Sequence, residues 1–405
     1  MAMKAVTIGA GQAAVAFAAK LRELDGDAEI LMIGEEESLP YQRPPLSKKY
    51  MTGEMEADRL LLRPAEWYDD NRIECRTGTQ VTQIDAAAKQ VHVGGEAVSF
   101  DKLLIATGAT PRALPAAIGG ELGNVFTLRS LADADRIAAQ MMEDAKALVI
   151  GGGYIGLEAA AVFATRGLKV HVVEMADRIL KRVASAETAA FVRSVHEAHG
   201  VSVLENTSLE RLEGSGGKIS HAVLGDGSSI EADLVVVGIG VSPNDALARQ
   251  AGLVCGNGIE VDEGTRTSHP DIHAAGDVAS FEFHGQRCRL ESVQNAIEQA
   301  EHAAKTIAGG SEPYVPVPWF WSDQYDMKLQ IAGLNTGFDR TVTRPGSHEG
   351  GQSVWYFSGE KFLAVDAIND PRAYMFGKKI LEMGRTVTPE QAADADFDLK
   401  ALIKP

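Results

Sequence analysis

Two glycine-rich turns carry the residue spacing in this chain that is best suited to chemistry. Gly9-Ala10-Gly11-Gln12-Ala13-Ala14 and Gly151-Gly152-Gly153-Tyr154-Ile155-Gly156 each follow a short apolar run and open a stretch of helical periodicity. In such a turn the first glycine permits the tight bend and the second lets a pyrophosphate approach the backbone. The third small residue, Ala14 or Gly156, keeps the helix close to the strand. Free N–H groups and the positive end of the helix then face the phosphates. Glu35 and Glu174 stand at the ends of the next apolar runs, where a carboxylate accepts hydrogen bonds from a ribose. At Glu174 the carboxylate also repels a 2′-phosphate, which favours NADH over NADPH. Arg178, Lys181 and Arg182 follow. They read either as solvated charges of a helix face or as phosphate contacts, with Arg182 the candidate for a pyridine-nucleotide contact.

The elements that must position these residues read as strand, turn, helix and strand, twice over. Residues 5–8, a helix to about residue 24 and a strand at 29–33 form the first unit. Residues 147–150, a helix to about residue 165 and a strand at 170–174 form the second, its turn 142 residues after the first. An internal repeat of this size predicts two nucleotide-binding domains of similar architecture. One dinucleotide can stay bound as redox centre while the other comes and goes as reductant. Short strands are expected at 79–84, 90–93 and 102–105, the last ending in Thr107-Gly108. A strand at 234–237 ends in Gly238 and Gly240, after a small antiparallel hairpin between 205 and 232. A strand near 272 runs into Gly276-Asp277, and a helix follows at 292–307. Pro313, Pro316 and Pro318 mark a boundary. Strands at 329–334, 340–343, 353–357 and 361–368 and a helical end at 373–383 lie beyond it. The expected fold is α/β: two Rossmann-like dinucleotide-binding domains in a glutathione-reductase-like arrangement, plus a C-terminal α+β domain. The expected division gives the first domain residues 1–108 and 241–314, the second 109–240, and the C-terminal domain 315–405.

Composition fits this reading. The chain has 405 residues, 45% hydrophobic and 23% charged, which suits a soluble globular protein of two to three domains. A net charge of −17 repels nucleic acid and anionic membrane over most of the surface, so neither is an expected partner. Cys75, Cys255 and Cys288 form no CxxC pair, so no disulfide framework or zinc cluster is expected, and a reducing, cytoplasmic compartment is. The histidines show no HExxH or other ligand spacing, and no metal is expected. The small apolar residues of 5–19 are interrupted by Gly9 and Gly11 and continue into Lys20, Arg22 and Glu23, as an amphipathic helix rather than a signal peptide. No run approaches the roughly 18 apolar residues of a membrane span.

A wider set of motifs occurs in order along the chain. It comprises Gly9-Ala10-Gly11, Tyr41-Gln42-Arg43-Pro44-Pro45-Leu46-Ser47-Lys48, Ile105-Ala106-Thr107-Gly108, residues 151–158, Ala275-Gly276-Asp277, Glu291-Ser292-Val293 and Pro318-Trp319-Phe320-Trp321-Ser322-Asp323-Gln324. Together they resemble the FAD- and NADH-dependent ferredoxin reductases of bacterial oxygenase systems, the putidaredoxin reductase-like and biphenyl dioxygenase reductase-like group. The resemblance covers essentially the whole chain. It implies that Gly9, Gly11, Ala13 and Ala14 hold the FAD pyrophosphate and that Glu35 holds its ribose. Arg43 and Lys48 match residues at the flavin, with Lys48 near the reactive N5 edge; Val81 and Arg129 match further FAD contacts. Asp277, after Gly276, matches the acid on the ribityl chain, and Val293 a backbone contact to the ring system. Thr107 and Gly108 join the FAD set. Gly151, Gly153, Ile155, Gly156, Glu174, Arg182 and Gly240 form the NADH set, in which Glu158 steers the nicotinamide amide. Lys48 and Glu158 are the expected catalytic residues. Other readings stay open: Lys48 as a surface lysine, Asp277 as a helix cap, and Trp319 and Trp321 as a packing cluster rather than, for Trp321, a lining of the flavin.

The function so implied is passage of electrons from NADH through FAD to a 2Fe–2S ferredoxin. The ferredoxin would serve a cytochrome P-450 monooxygenase or a ring-hydroxylating dioxygenase. It is expected to dock transiently, on a reductase that is a monomer or homodimer. A local basic rim would orient it, with Arg43, Lys48, Lys49, Arg287, Arg289 and Lys328 as candidates. Two alternatives make different demands. A flavin-dependent NADH oxidase or disulfide reductase of the same fold needs a thiol beside the flavin, and residues 1–70 contain no cysteine. A flavoprotein resembling apoptosis-inducing factor calls for a transit peptide and a basic surface, against an acidic chain that begins at its first strand.

Overall fold

The computed structural model describes residues 2–346 and 348–404. The chain falls into two compact units: Met1–Gln42 with Ala57–Thr110 and Val241–Pro316, and Arg43–Glu56 with Pro111–Gly240 and Val317–Pro405.

The first unit is built on a parallel sheet in the order Ile272–Ala274, Lys102–Ile105, Lys4–Ile8, Glu29–Ile33, Ile73–Arg76. Its central strands are apolar on both faces because helices cover the sheet, which is why they read as runs rather than as alternations. The helix Gln12–Leu24 buries Ala13, Ala14, Val15, Phe17, Ala18 and Leu21. They share one core with Ala296, Ala300, Ala303 and Ala304 of the helix Val293–Ile307. Small side chains on both helices allow a close approach. A three-stranded antiparallel sheet, Val81–Asp85, Gln90–Val93 and Glu96–Ser99, is appended to this unit.

The second unit repeats the plan. Its parallel sheet runs Ser202–Leu204, Lys169–Val173, Lys146–Ile150, Leu234–Val237, Val125–Phe126. The strand after the second glycine turn ends at Val173, so Glu174 lies in the turn beyond it. Between 205 and 232 the structure has three strands, Leu209–Ser215, Lys218–Leu224 and Ser229–Glu231, where a hairpin was expected. The third is three residues long, too short to show an alternation.

The same unit contains an antiparallel sheet in the order Trp319–Gln324, Met327–Gly333, Lys361–Ile368, Gln352–Ser358, Arg340–Pro345. Its first strand falls where the sequence suggested only an aromatic cluster after prolines. The alternation sends Trp319 and Trp321 to one face and Phe320, Ser322 and Gln324 to the other. The helix Pro371–Glu382 packs on this sheet so closely that a Cβ on Gly377 would lie 2.4 Å from Val365 Cγ1. Among the described residues, no helix is long and apolar enough to cross a membrane.

Candidate functional site

The two glycine turns are one structure made twice. Gly9 has φ +107°, and a Cβ there would stand 2.2 Å from the Ala106 carbonyl oxygen. Gly151 has φ +101°, and its Cβ would stand 2.5 Å from the Gly238 carbonyl oxygen. Each turn therefore passes hard against the strand end that crosses beside it. Gly156 is equally confined: a Cβ would sit 2.2 Å from the Gly151 carbonyl oxygen. Gly11 and Gly153 behave differently. Each occupies the N-cap of its helix with an extended backbone and no side-chain cap. A Cβ on Gly11 would meet no protein atom within 4 Å, and one on Gly153 only the Gly238 oxygen at 4.0 Å. Uncapped helix N–H groups beneath open space are an anion-binding arrangement.

Around the first turn, Ala13 and Ala14 are buried, and a Cβ on Gly276 (φ +79°) would lie 3.4 Å from the Ala13 Cβ. The Gly276 N–H donates to Gln299 Oε1 at 2.9 Å, and the Asp277 carbonyl accepts from Arg289 Nη1 at 2.7 Å. Asp277 sits inside the short turn Gly276–Val278, whose N-cap is Ala275, while Ser292 caps the helix that begins at Val293. The helix-cap reading of Asp277 therefore finds no support. Glu35 is exposed, with Gln80 Nε2 3.4 Å from its Oε1. Val81 is buried at the start of its strand. Thr107 and Asn244 are mutually bonded: Thr107 Oγ1 donates to the Asn244 carbonyl (2.8 Å) and Asn244 Nδ2 to the Thr107 carbonyl (2.9 Å). This clamp holds the Thr107-Gly108 bend. Asn244 was not singled out from the sequence, although it follows the Gly238–Gly240 bend much as turn residues follow Gly108.

At the second turn, Glu174 accepts from the backbone N–H of Gly152 and of Ala176, both at 2.8 Å. One oxygen serves each, so lone pairs remain for a ribose. The carboxylate thus ties the glycine turn to the bend after its own strand. Arg182 is exposed, and its Nη2 lies 3.4 Å from where a Gly240 Cβ would be (φ +98°), beside the bend that confines Gly151. Arg178 instead turns inward to the Ser185 carbonyl at 3.3 Å, and Lys181 pairs with Asp177. Ile155 is 42% exposed in the first turn of the helix Tyr154–Thr165, an apolar side chain left facing outward at the nucleotide end.

Glu158 lies one turn further along that helix and is 4% exposed. Lys48 Nζ pairs with its Oε2 at 2.7 Å, and the Lys48 side chain is only 16% exposed. Ser47 Oγ donates to Oε2, and Ser322 Oγ to Oε1 at 2.7 Å. This carboxylate is buried, paired and hydrogen-bonded on both oxygens, which is what burial of a charge requires. Neither serine was given a role from the sequence, although each lies inside one of the ordered motifs, next to Lys48 and to Trp321. Arg43 Nη1 donates to the Arg129 carbonyl at 2.9 Å, and Arg129 precedes a helix capped reciprocally by Ser130 and Asp133. Trp321 is half-buried, its ring 5.6 Å from that of Trp319.

Of the candidate docking cations, Lys49, Arg287 and Lys328 are exposed. Arg289 is not a rim residue: its side chain is 7% exposed, paired with Glu291 at 2.6 Å and bonded to the Asp277 carbonyl. The three cysteines are free thiols, and burial raises the pKa of each. Among the described residues, no group of His, Cys, Asp and Glu could hold a metal ion.

Residues 3–300 match the family described as pyridine nucleotide-disulphide oxidoreductase, and residues 319–403 match the family described as reductase C-terminal. The chain belongs to the pyridine nucleotide-disulphide oxidoreductases. This oxidoreductase is 42% identical to rhodocoxin reductase from Rhodococcus erythropolis, over 99% of this chain and 94% of the relative. Among solved structures it is similar to the reductase of a covalent putidaredoxin reductase–putidaredoxin complex, with a TM-score of 0.95 at 38% identity over 99% and 98% of the two chains. It is equally similar to the ferredoxin reductase for the CYP199A2 system from Rhodopseudomonas palustris, with a TM-score of 0.95 at 38% identity over 99% and 100%. The oxidoreductase uses FAD and a pyridine nucleotide. The two uncapped helix ends beneath open space, one in each unit, fit the two pyrophosphates.

Proposed function

We propose that this oxidoreductase is an NADH-dependent ferredoxin reductase serving an oxygenase, a cytochrome P-450 monooxygenase or a ring-hydroxylating dioxygenase. The observation that carries the reading is the cluster of Lys48 and Ser322 on the buried Glu158 carboxylate, in a chain whose cysteines are all partly buried free thiols of raised pKa. A disulfide reductase needs a reactive thiolate; this arrangement offers a lysine and a carboxylate instead.

Bound FAD would supply the redox chemistry, the link between a two-electron donor and a one-electron acceptor. The protein's part is to bind, orient and tune. Gly9, Gly11, Ala13 and Ala14 present the helix N-terminus to the FAD pyrophosphate. Glu35 takes its ribose, Thr107, Gly108 and Val81 flank it, and Gly276 with Asp277 takes the ribityl chain. Val293 offers its backbone N–H at a helix start. Arg43, Arg129 and Trp321 complete the proposed flavin set. Lys48, positive and largely withdrawn from water, stabilises negative charge that develops nearby. Gly151, Gly153 and Gly156 receive the NADH pyrophosphate, Glu174 its ribose, and Arg182 and Gly240 lie alongside. Glu158 would orient the carboxamide of nicotinamide, and the exposed Ile155 belongs to the same proposed set. The domains proposed are 1–108 with 241–314 for FAD, 109–240 for NADH and 315–405 at the C-terminus.

The partner proposed is a 2Fe–2S ferredoxin bound transiently by a cytoplasmic monomer or homodimer, with no role for nucleic acid or membrane. The test is NADH-driven reduction of 2Fe–2S ferredoxins by the purified protein, which should be yellow with one FAD per chain. A colourless protein that FAD cannot reconstitute, or a flavoprotein that reduces no ferredoxin, would refute it.

A further inference from the structure

The carboxylate of Glu158 stands at the end of a longer chain of hydrogen bonds. Ser322 Oγ donates to Glu158 Oε1 at 2.7 Å, and Gln324 Nε2 donates to Ser322 Oγ at 3.1 Å. His196 Nε2 lies 2.7 Å from Gln324 Oε1, and Tyr325 Oη lies 3.3 Å from His196 Nδ1. Ser322 and His196 are fully buried, Gln324 is 1% exposed and Glu158 is 4% exposed. Tyr325 stacks on the exposed His199, with ring centroids 3.7 Å apart and planes at 9°, so the chain runs from a protected carboxylate to the surface. Period-two alternation along Trp319–Gln324 puts Ser322 and Gln324 on one face.

A buried chain of this kind has two polarities. An amide offers an acceptor at one end and a donor at the other, and a neutral imidazole carries its proton on one nitrogen only. If His196 holds Nε2–H, it donates to Gln324 Oε1. Gln324 then donates to Ser322, and the Ser322 proton is directed at Glu158. If His196 holds Nδ1–H, Nε2 becomes an acceptor and the amide must turn over. Ser322 then donates to Gln324, and Glu158 Oε1 loses that donor. Tyr325, facing Nδ1, can serve as donor in the first state and acceptor in the second. Burial lowers the His196 pKa; the Gln324 hydrogen bond opposes this and the nearby His199 adds to it, and the net lowering favours the neutral ring.

We propose that His196 is a positioning residue for Glu158: its Nε2–H tautomer, read through the Gln324 amide and the Ser322 hydroxyl, fixes the carboxylate that orients nicotinamide. The inference rests on the proposed role of Glu158 and names a part of its machinery two side chains removed. It also gives Ser322 and Gln324 a reason for their residue types beyond strand formation. No proton passes along the chain in this scheme; what passes is hydrogen-bond direction.

The first test is magnetic resonance on the holoenzyme with isotope-labelled histidine. The expected result is His196 as the Nε2–H tautomer; Nδ1–H would overturn the proposal. The second is a double-mutant cycle, reading NAD+ affinity of the oxidised holoenzyme by calorimetry, with thermal melts to confirm folding. Ser322→Ala and Gln324→Met should each weaken binding by about tenfold, the scale of one hydrogen bond to a charged group. The pair together should also weaken it by about tenfold, because both break the same chain. Losses that multiply to about a hundredfold would mean independent packing effects and would overturn the relay. Glu158→Gln is the control on the underlying reading. Unchanged NAD+ affinity in that variant would remove Glu158 from the nicotinamide site, whereas the tautomer reports the relay alone.

Discussion

Gly9 and Gly11 stand two residues apart and answer to different constraints. At Gly9 an added methyl collides with the Ala106 carbonyl at 2.2 Å, on a backbone of φ +107°. At Gly11 it enters open space, on an ordinary backbone of φ −114°. Gly11→Ala should therefore fold, with apoprotein stability within about 0.5 kcal/mol of the parent, and lose FAD. Gly9→Ala should fail to fold. Thermal melts and the flavin-to-protein absorbance ratio separate these outcomes; an alanine at position 11 that retains FAD normally would displace the pyrophosphate from that turn. Glu174 makes a second prediction. A hydrogen-bonded ribose against a repelled 2′-phosphate is worth about 2–4 kcal/mol, roughly 30- to 1000-fold in favour of NADH. Glu174→Ala should shrink that ratio. It should also cost about 1–3 kcal/mol of stability, since the amides of Gly152 and Ala176 lose their acceptor. Equal use of both coenzymes by the parent would show that Glu174 is not the discriminating residue. Replacing Cys75, Cys255 and Cys288 together by serine should leave electron transfer intact in the folded protein; loss of turnover with FAD still bound would restore a thiol mechanism.

At the scale of elements, the strand Ile272–Ala274 leads directly into Gly276-Asp277, so what loosens the strand loosens the proposed ribityl contact. His273 is 1% exposed in that strand, and burial pushes its pKa down to about 4, with Lys102 and Arg266 adding to the effect. The unfolded chain takes up this proton near 6.5 and the folded chain only near 4. Stability is therefore fully present above about pH 6.5 and declines between 6.5 and 4, by about 3 kcal/mol from this group. Asp271, held near 2 by Lys102 and Lys89, loses its contribution only below that window. Flavin fluorescence should rise as FAD is released across pH 6.5 to 4, and the release should move to lower pH in His273→Gln. An unmoved midpoint would assign the acid sensitivity elsewhere. A comparable single-residue tether lies in the C-terminal sheet. There the Arg344 guanidinium donates to the carbonyls of Gln391, Ala392, Asp394, Ala395 and Phe397. Strand boundaries at 29–33, 90–93, 102–105, 234–237 and 361–368 were legible from apolar runs and turn residues. The strand Trp319–Gln324 was not, because prolines before it and two tryptophans in it look the same in sequence whether the segment is a strand or a packing cluster.

For the whole molecule, the net charge of −17 sets long-range repulsion against any acidic partner. Only a concentrated positive patch can orient the encounter. The exposed Lys328 is a candidate for that patch; the buried Arg289 is not. Added salt should raise the Michaelis constant for ferredoxin and leave the reaction of NADH with the bound FAD nearly unchanged. Lys328→Glu should act in the same direction. Arg289→Glu should instead destabilise the fold, because it removes a partner of Glu291 and of the Asp277 carbonyl. A Michaelis constant that is flat or falling with salt would point to apolar contacts, with Trp321 the first to examine.

The sequence alone determined the repeated strand–turn–helix–strand plan, because only small residues fit where a helix, a strand end and a phosphate converge. It likewise determined the absence of a thiol from the first seventy residues. Which side chains meet was decided by the tertiary structure. Ser47 and Lys48, Glu158, and Ser322 come from three separate stretches of chain, and no spacing rule links them. Hydrogen-bond direction depends on distances and on a shared buried environment, and both arise only when the sheet of the C-terminal stretch has folded against the helices Tyr154–Thr165 and Ala186–Ala198.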